Sequence, residues 1–168
     1  MPHFTRPGLG LLLSLPLVAG GSMACMWGWG ATDVDRPALA LTQMRDVHVD
    51  YHDACDRWTS PGDAGDMPSG HVDDVYAMTD DMIEACNDLV QAGRIDRDDR
   101  DDVADMRLRL RDAVDGHRAR FDELQDGDAM HDECDDHHSQ MSELFDETED
   151  RLRSGGMMSG SGTRGGMM

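Results

Sequence analysis

The sequence predicts an all-α fold, an up-down-up-down four-helix bundle, and three observations predict it. Four stretches place apolar residues at three- and four-residue steps, the period of one helix face. No stretch alternates with period two, as a half-buried strand would. The breaks between the helical stretches carry Gly, Pro or Asp, and the last two are short, which folds neighbouring helices back on each other.

Taken in order, residues 1–24 read as a signal peptide. His3 and Arg6 precede a short apolar run from Leu9 to Val18, and small residues follow up to Ala24. Cys25, directly after Ala24, resembles the lipobox cysteine of bacterial lipoproteins, so lipidation at Cys25 is expected, with plain secretion as the alternative. Residues 25–34 form a flexible tether, with Trp27 and Trp29 beside Gly28 and Gly30. The bundle proper is expected over residues 35–153. Its first helix carries Pro37 in the opening turn and then Leu41, Met44, His48, His52 and Cys55. A loop runs from Ser60-Pro61-Gly62 to Pro68-Ser69-Gly70. A second helix starts near Ser69 or His71, follows Val75, Met78, Met82, Ala85 and Leu89, and stops at Gly93. The third follows Val103, Met106, Leu110, Val114, His117, Phe121 and Leu124, and is broken at Asp126-Gly127. The fourth runs from about Asp128 through His131, Cys134, His138, Met141 and Phe145 to Leu152. Residues 154–168, rich in Gly and Ser with Met-Met pairs at Met157-Met158 and Met167-Met168, read as a disordered tail.

Charge narrows the function classes. The 168 residues carry a formal net charge of -20. Asp supplies 29 of the 35 acids, and all 15 basic side chains are Arg. Such a surface repels phosphate backbones, which excludes nucleic acid as a partner, and it attracts cations. No segment after the leader is apolar enough to span a bilayer, so membrane contact is expected only through a lipid on Cys25.

The chemistry-bearing residues form two runs of mirrored spacing, His48-x3-His52-x2-Cys55 and His131-x2-Cys134-x3-His138. On a helix each run is a single His/Cys stripe, and imidazole and thiolate are ligands for softer transition metals. Folding the helices about their turns brings His52, Cys55, His71, His117, His131, Cys134 and His138 toward one end, with His48 about a turn deeper. Cys86, fifteen residues past His71, lies about 22 Å away along the helix, at the other end. His52, Cys55, Cys134 and His138 are the expected core ligands, and His48, His71, His117 and His131 the reserves. His137 is excluded, as pointing away from its neighbour His138.

A second reading of the cysteines stays open. Exported cysteines usually pair, and a Cys55–Cys134 bridge would close a loop of about 80 residues and contribute ~3–4 kcal/mol. Cys25–Cys86 would complete that scheme if Cys25 carries no lipid. Other motifs fail: an EF-hand reading of Asp122 to Glu133 puts Leu124 where an oxygen is needed, and paired ExxH and C-x-x-C-H motifs are absent. No nucleophile–base pattern makes a case for an enzyme. The expectation is therefore an exported acidic protein of the periplasm, outer membrane or cell surface, binding copper or, second, zinc. The Met-rich tail, which resembles those of periplasmic copper-handling proteins, tilts the choice to copper. The rival is a disulfide-stapled structural or interaction protein of the envelope with no metal role.

Overall fold

A computed structural model describes residues 33–158. The signal peptide, the lipidation site Cys25, the tether as far as Thr32 and the Met167-Met168 pair lie outside the described residues. Those described form four α-helices and no strand: α1 (Arg36–Cys55), α2 (Met67–Gln91), α3 (Arg97–Phe121) and α4 (Gly127–Ser154). Two 3-10 turns, Asp33–Asp35 and Pro61–Ala64, precede α1 and interrupt the α1–α2 loop.

The helices close a ring in which α1 packs on α2, α2 on α3, α3 on α4 and α4 back on α1. Paired contacts fix the sense of each seam. Going forward along one helix, the partners go backward along its neighbour: Arg36–Asp88 then His48–His71 for α1 and α2, Asp80–Arg111 then Asn87–Arg100 for α2 and α3, Arg109–Glu147 then His117–Glu133 for α3 and α4, and Arg45–Asp146 then Cys55–Cys134 for α1 and α4, so neighbours run antiparallel. With Arg the only base on a chain this acidic, these bridges also separate carboxylates that would otherwise repel across the seams.

Helix ends follow their capping chemistry. Asp96 and Asp126 accept hydrogen bonds from the amides of Asp99 and Ala129, at 2.9 and 2.8 Å, and so open α3 and α4. α2 begins at Met67, ahead of the expected Ser69 or His71. Pro68 sits in its first turn, where a missing N–H is no loss, and the Gly70 amide already bonds to the Asp66 carbonyl at 2.9 Å. His71 thereby stands inside the helix, with its side chain buried. At the start of α4, a Cβ on Gly127 would lie 2.6 Å from the Thr59 carbonyl oxygen, so glycine lets the α1–α2 loop pass against the α3–α4 turn.

The bundle also extends past its expected end at Arg153. Gly156 adopts φ +70°, its amide bonds to the Arg153 carbonyl, and the Met157 amide bonds to the Leu152 carbonyl at 2.8 Å. This left-handed C-terminal cap turns Met157 back onto the core, where it is fully buried against Cys86, and Met158 packs partly beside it. The beginning of the expected tail is therefore core.

The apolar interior comes in two parts. The larger is built on Leu41, Met44, Met82, Leu110, Met141 and Leu152; the smaller, at the other end, gathers Tyr51, Cys55, Trp58, Phe121, Met130 and Cys134. On α1 the side chain between Met44 and Tyr51 is His48, and on α4 the one between Cys134 and Met141 is His137. The polar layer they belong to separates the two apolar parts.

Candidate metal centre

Each helix gives that layer one buried imidazole: His48 from α1, His71 from α2, His117 from α3 and His137 from α4. The reason is periodicity. The buried positions of α4 run Met130, Cys134, His137, Met141, Leu144 and Thr148, in alternating four- and three-residue steps. Those of α1 run Leu41, Met44, His48, Tyr51 and Cys55 in the same rhythm.

Three of the four rings converge. His48 Nδ1 and His137 Nε2 both approach His71 Nε2, each at 3.3 Å, and the ligand atoms of His48, His71 and His137 lie within 4.8 Å of one another. A neutral ring nitrogen has either one proton or one lone pair, so His71 Nε2 cannot complete an ordinary hydrogen bond with both neighbours. The spacing is also long for an N–H hydrogen bond, whose usual length is about 2.9–3.0 Å. It matches the edge of a tetrahedron around an ion, since bonds of about 2.0–2.1 Å to imidazole put neighbouring nitrogens about 3.3–3.4 Å apart. The buried trio could hold a metal ion.

The protonation state suits that chemistry. Burial, assisted by the nearby imidazoles, lowers His48 to about 3 and His71 to about 4, and pushes His137 far below the ordinary histidine range. The rings are neutral at neutral pH, with lone pairs free to bind a cation. His71 Nδ1 and His137 Nδ1 are buried and have no hydrogen-bond partner among the described residues. If Nε2 gives its lone pair to an ion, Nδ1 carries the proton, so both rings lack the outer acceptor that commonly holds a ligand histidine.

His117 is wired differently. A carboxylate can only accept, so His117 donates from Nδ1 to Glu133 Oε1 at 2.8 Å and accepts the Tyr51 hydroxyl at Nε2, at 2.7 Å. Glu133 in turn accepts from Arg120 at 2.8 Å. Both His117 nitrogens are thus engaged, and its ring stacks on His137 at 4.0 Å between centroids, nearly parallel. Tyr51 stacks on His71 at 4.3 Å. These flat contacts hold two of the three converging rings in place.

The remaining expected residues divide as follows. His138 Nδ1 meets His48 Nε2 at 3.2 Å, and its ring stacks on His52 at 4.1 Å, so both flank the trio on the α1–α4 side. His52 Nε2 pairs with Asp135 at 3.1 Å. His131 donates from Nε2 to the Trp58 carbonyl at 3.0 Å and ties the α1–α2 loop to α4. Cys55 and Cys134, weighed as ligands, are joined to each other, with Cα atoms 6.4 Å apart. As a disulfide they offer no thiolate, and of the two readings of these cysteines the bridge is the one present. Cys86, the free cysteine among the described residues, lies at the far end with its Sγ 3.5 Å from Met157 Sδ. Burial raises its thiol to about 12.

The exclusion of His137 is reversed. His137 and His138 flank the α4 stripe equally well by spacing, and pairing His138 with Cys134 mirrored the first run. The buried rhythm continued from Met130 through Met141 to Thr148 selects His137 instead. Tyr51 was also missed, although it stands three residues after His48 on the α1 core line. No protein-family model, no curated protein and no solved structure matches this chain.

Proposed function

We propose that this protein binds one transition-metal ion through His48 Nδ1, His71 Nε2 and His137 Nε2, copper ahead of zinc, for sequestration, delivery or sensing in the cell envelope. The observation that carries the reading is the double approach to His71 Nε2 at 3.3 Å on both sides. Copper stands first because nitrogen donors bind Cu(II) more tightly than its first-row neighbours. Three protein ligands leave a fourth position to water or an incoming donor, which suits an ion that must be passed on. The acidic surface would concentrate cations near the site. A Cys55–Cys134 disulfide is typical of an oxidising compartment and agrees with the export reading of residues 1–24 and with lipidation at Cys25.

The test is titration of chelator-stripped protein with Cu(II) and Zn(II), followed by calorimetry and by competition with a chromogenic chelator. One equivalent of Cu(II) should bind, and His71→Leu and His137→Leu should each abolish binding, whereas His131→Gln should not. Saturating ion should raise stability by about 2.7 kcal/mol at a hundredfold excess over Kd. The same disulfide favours a second reading, a stapled structural bundle whose imidazole layer only fixes helix register. That reading requires that neither ion binds and that Cys55→Ser destabilises strongly.

A further inference from the structure

The buried trio is linked to the surface by a continuous line of ligand-bearing side chains. Asp135 is largely exposed, and its carboxylate meets His52 Nε2 at 3.1 Å. The His52 ring stacks on His138 at 4.1 Å, His138 Nδ1 meets His48 Nε2 at 3.2 Å, and His48 Nδ1 faces the trio. His48 therefore presents one nitrogen to each side. Beside His48 and His138 a recess of about 180 Å³ opens between α1 and α4, lined also by Arg45, Phe145 and Asp146; His52 and Asp135 stand outside its lining.

A bare transition-metal ion cannot cross an apolar interior, because stripping its water without replacement ligands is prohibitive. It has to be passed from donor to donor. We propose that His52, His138 and Asp135 form an outer docking position for a transition-metal ion, from which His48 hands it to the buried trio. The inference rests on the reading of His48, His71 and His137 as the metal centre. Asp135 offers charge to draw the hydrated cation, and His52 and His138 offer imidazoles to replace part of its water. His48 has one lone pair at a time, so the hand-over moves its ring proton from Nδ1 to Nε2 as Nδ1 takes the ion.

On the other side of α1 a larger recess of about 310 Å³ opens against α2, lined by Asp50, Tyr51, His71 and Asp74 among others. There Asp50 and Asp74 are the carboxylates and His71 the single imidazole, with the Tyr51 ring lying flat on it, whereas the α1–α4 side presents three imidazoles in succession.

Kinetics separates a route from a ligand. A group used only in passage changes uptake and release by the same factor and leaves the equilibrium untouched, whereas a ligand or a group holding a ligand changes the equilibrium. In stopped-flow mixing of the chelator-stripped full chain with Cu(II), His138→Phe, which retains a flat ring against His52, should slow uptake about tenfold or more. Release to excess EDTA should slow as well; because His138 also holds His48 Nε2, the equilibrium is read in His52→Asn, where uptake and release should slow by the same factor and Kd should move less than about threefold. Asp135→Asn should slow uptake at low salt and lose that effect at high salt. If His138→Phe does not fold, His52→Asn carries the same readouts. Unchanged rates in the His138 variant, or a weaker Kd with unchanged uptake, would overturn the route. Slowed uptake in Asp74→Asn with none in His138→Phe would also overturn it and place the entrance on the other face. Failure of the wild type to take up any Cu(II) would be distinct from all of these and would sink the metal centre itself.

Discussion

Four buried imidazoles in one layer make the metal-free protein sensitive to mild acid. In the unfolded chain each ring titrates near 6.5, while in the fold His48 and His71 titrate near 3 and 4 because burial resists their charging. The folded state therefore takes up fewer protons than the unfolded chain as pH falls below 6.5. Stability is complete above that value and is lost through the window from 6.5 toward 4 and 3. Between pH 7 and pH 5 each of these two rings removes about 2 kcal/mol, so the pair removes about 4 kcal/mol, a large part of the ~5–15 kcal/mol of an ordinary domain. His117 and His137, also lowered by burial, act in the same direction. Ordinary carboxylates titrate at about 3.9–4.3, below this range, which leaves the buried histidines as the main source of the slope. Urea denaturation after chelation, at half-unit steps from pH 7 to pH 5, measures it. His71→Phe keeps a flat ring against Tyr51 and removes one titration, so its stability should fall less steeply, by about 1.4 kcal/mol per pH unit below 6. A wild-type stability that is flat from pH 7 to pH 5, or a His71→Phe slope equal to wild type, would refute the reasoning.

Two further outcomes follow from the packing. Replacing Cys55 and Cys134 together by Ser frees a loop spanning 79 residues and should cost about 3–4 kcal/mol, read as a lower urea midpoint that reductant reproduces in the wild type. Met157→Ala empties a fully buried site beside Cys86 and should cost about 2–4 kcal/mol, whereas a loose tail would give no change in thermal midpoint.

The helices were legible because their apolar residues repeat with the helical period and because Gly93, Asp126 and Gly127 punctuate them; those signals are local. The layer of imidazoles was only half legible. His48 and His117 stand on largely apolar stripes, so their burial follows from spacing, whereas His71, expected at the opening of α2, is buried because the helix begins earlier, at Met67. The choice between His137 and His138 needed the fine register of α4, because both flank the Cys134–Met141 line and one residue of rotation, about 100°, separates burial from the surface. Grouping histidines with cysteines by type favoured His138 and set the thiols beside the imidazoles as one ligand set. In three dimensions the two chemistries occupy adjacent levels of the bundle. The disulfide joins the end of α1 to α4 beyond the imidazole layer, and the imidazoles converge on the inner side of it. The two runs thus meet along one seam without forming a shared site. On the antiparallel α1 and α4, Cys55 faces Cys134, and farther inward His48, seven residues before Cys55, meets His138, four residues after Cys134, at 3.2 Å. The bridge pins α1 against α4 about two turns from His48 and one from His137. That constraint holds the two neutral rings on either side of His71 Nε2.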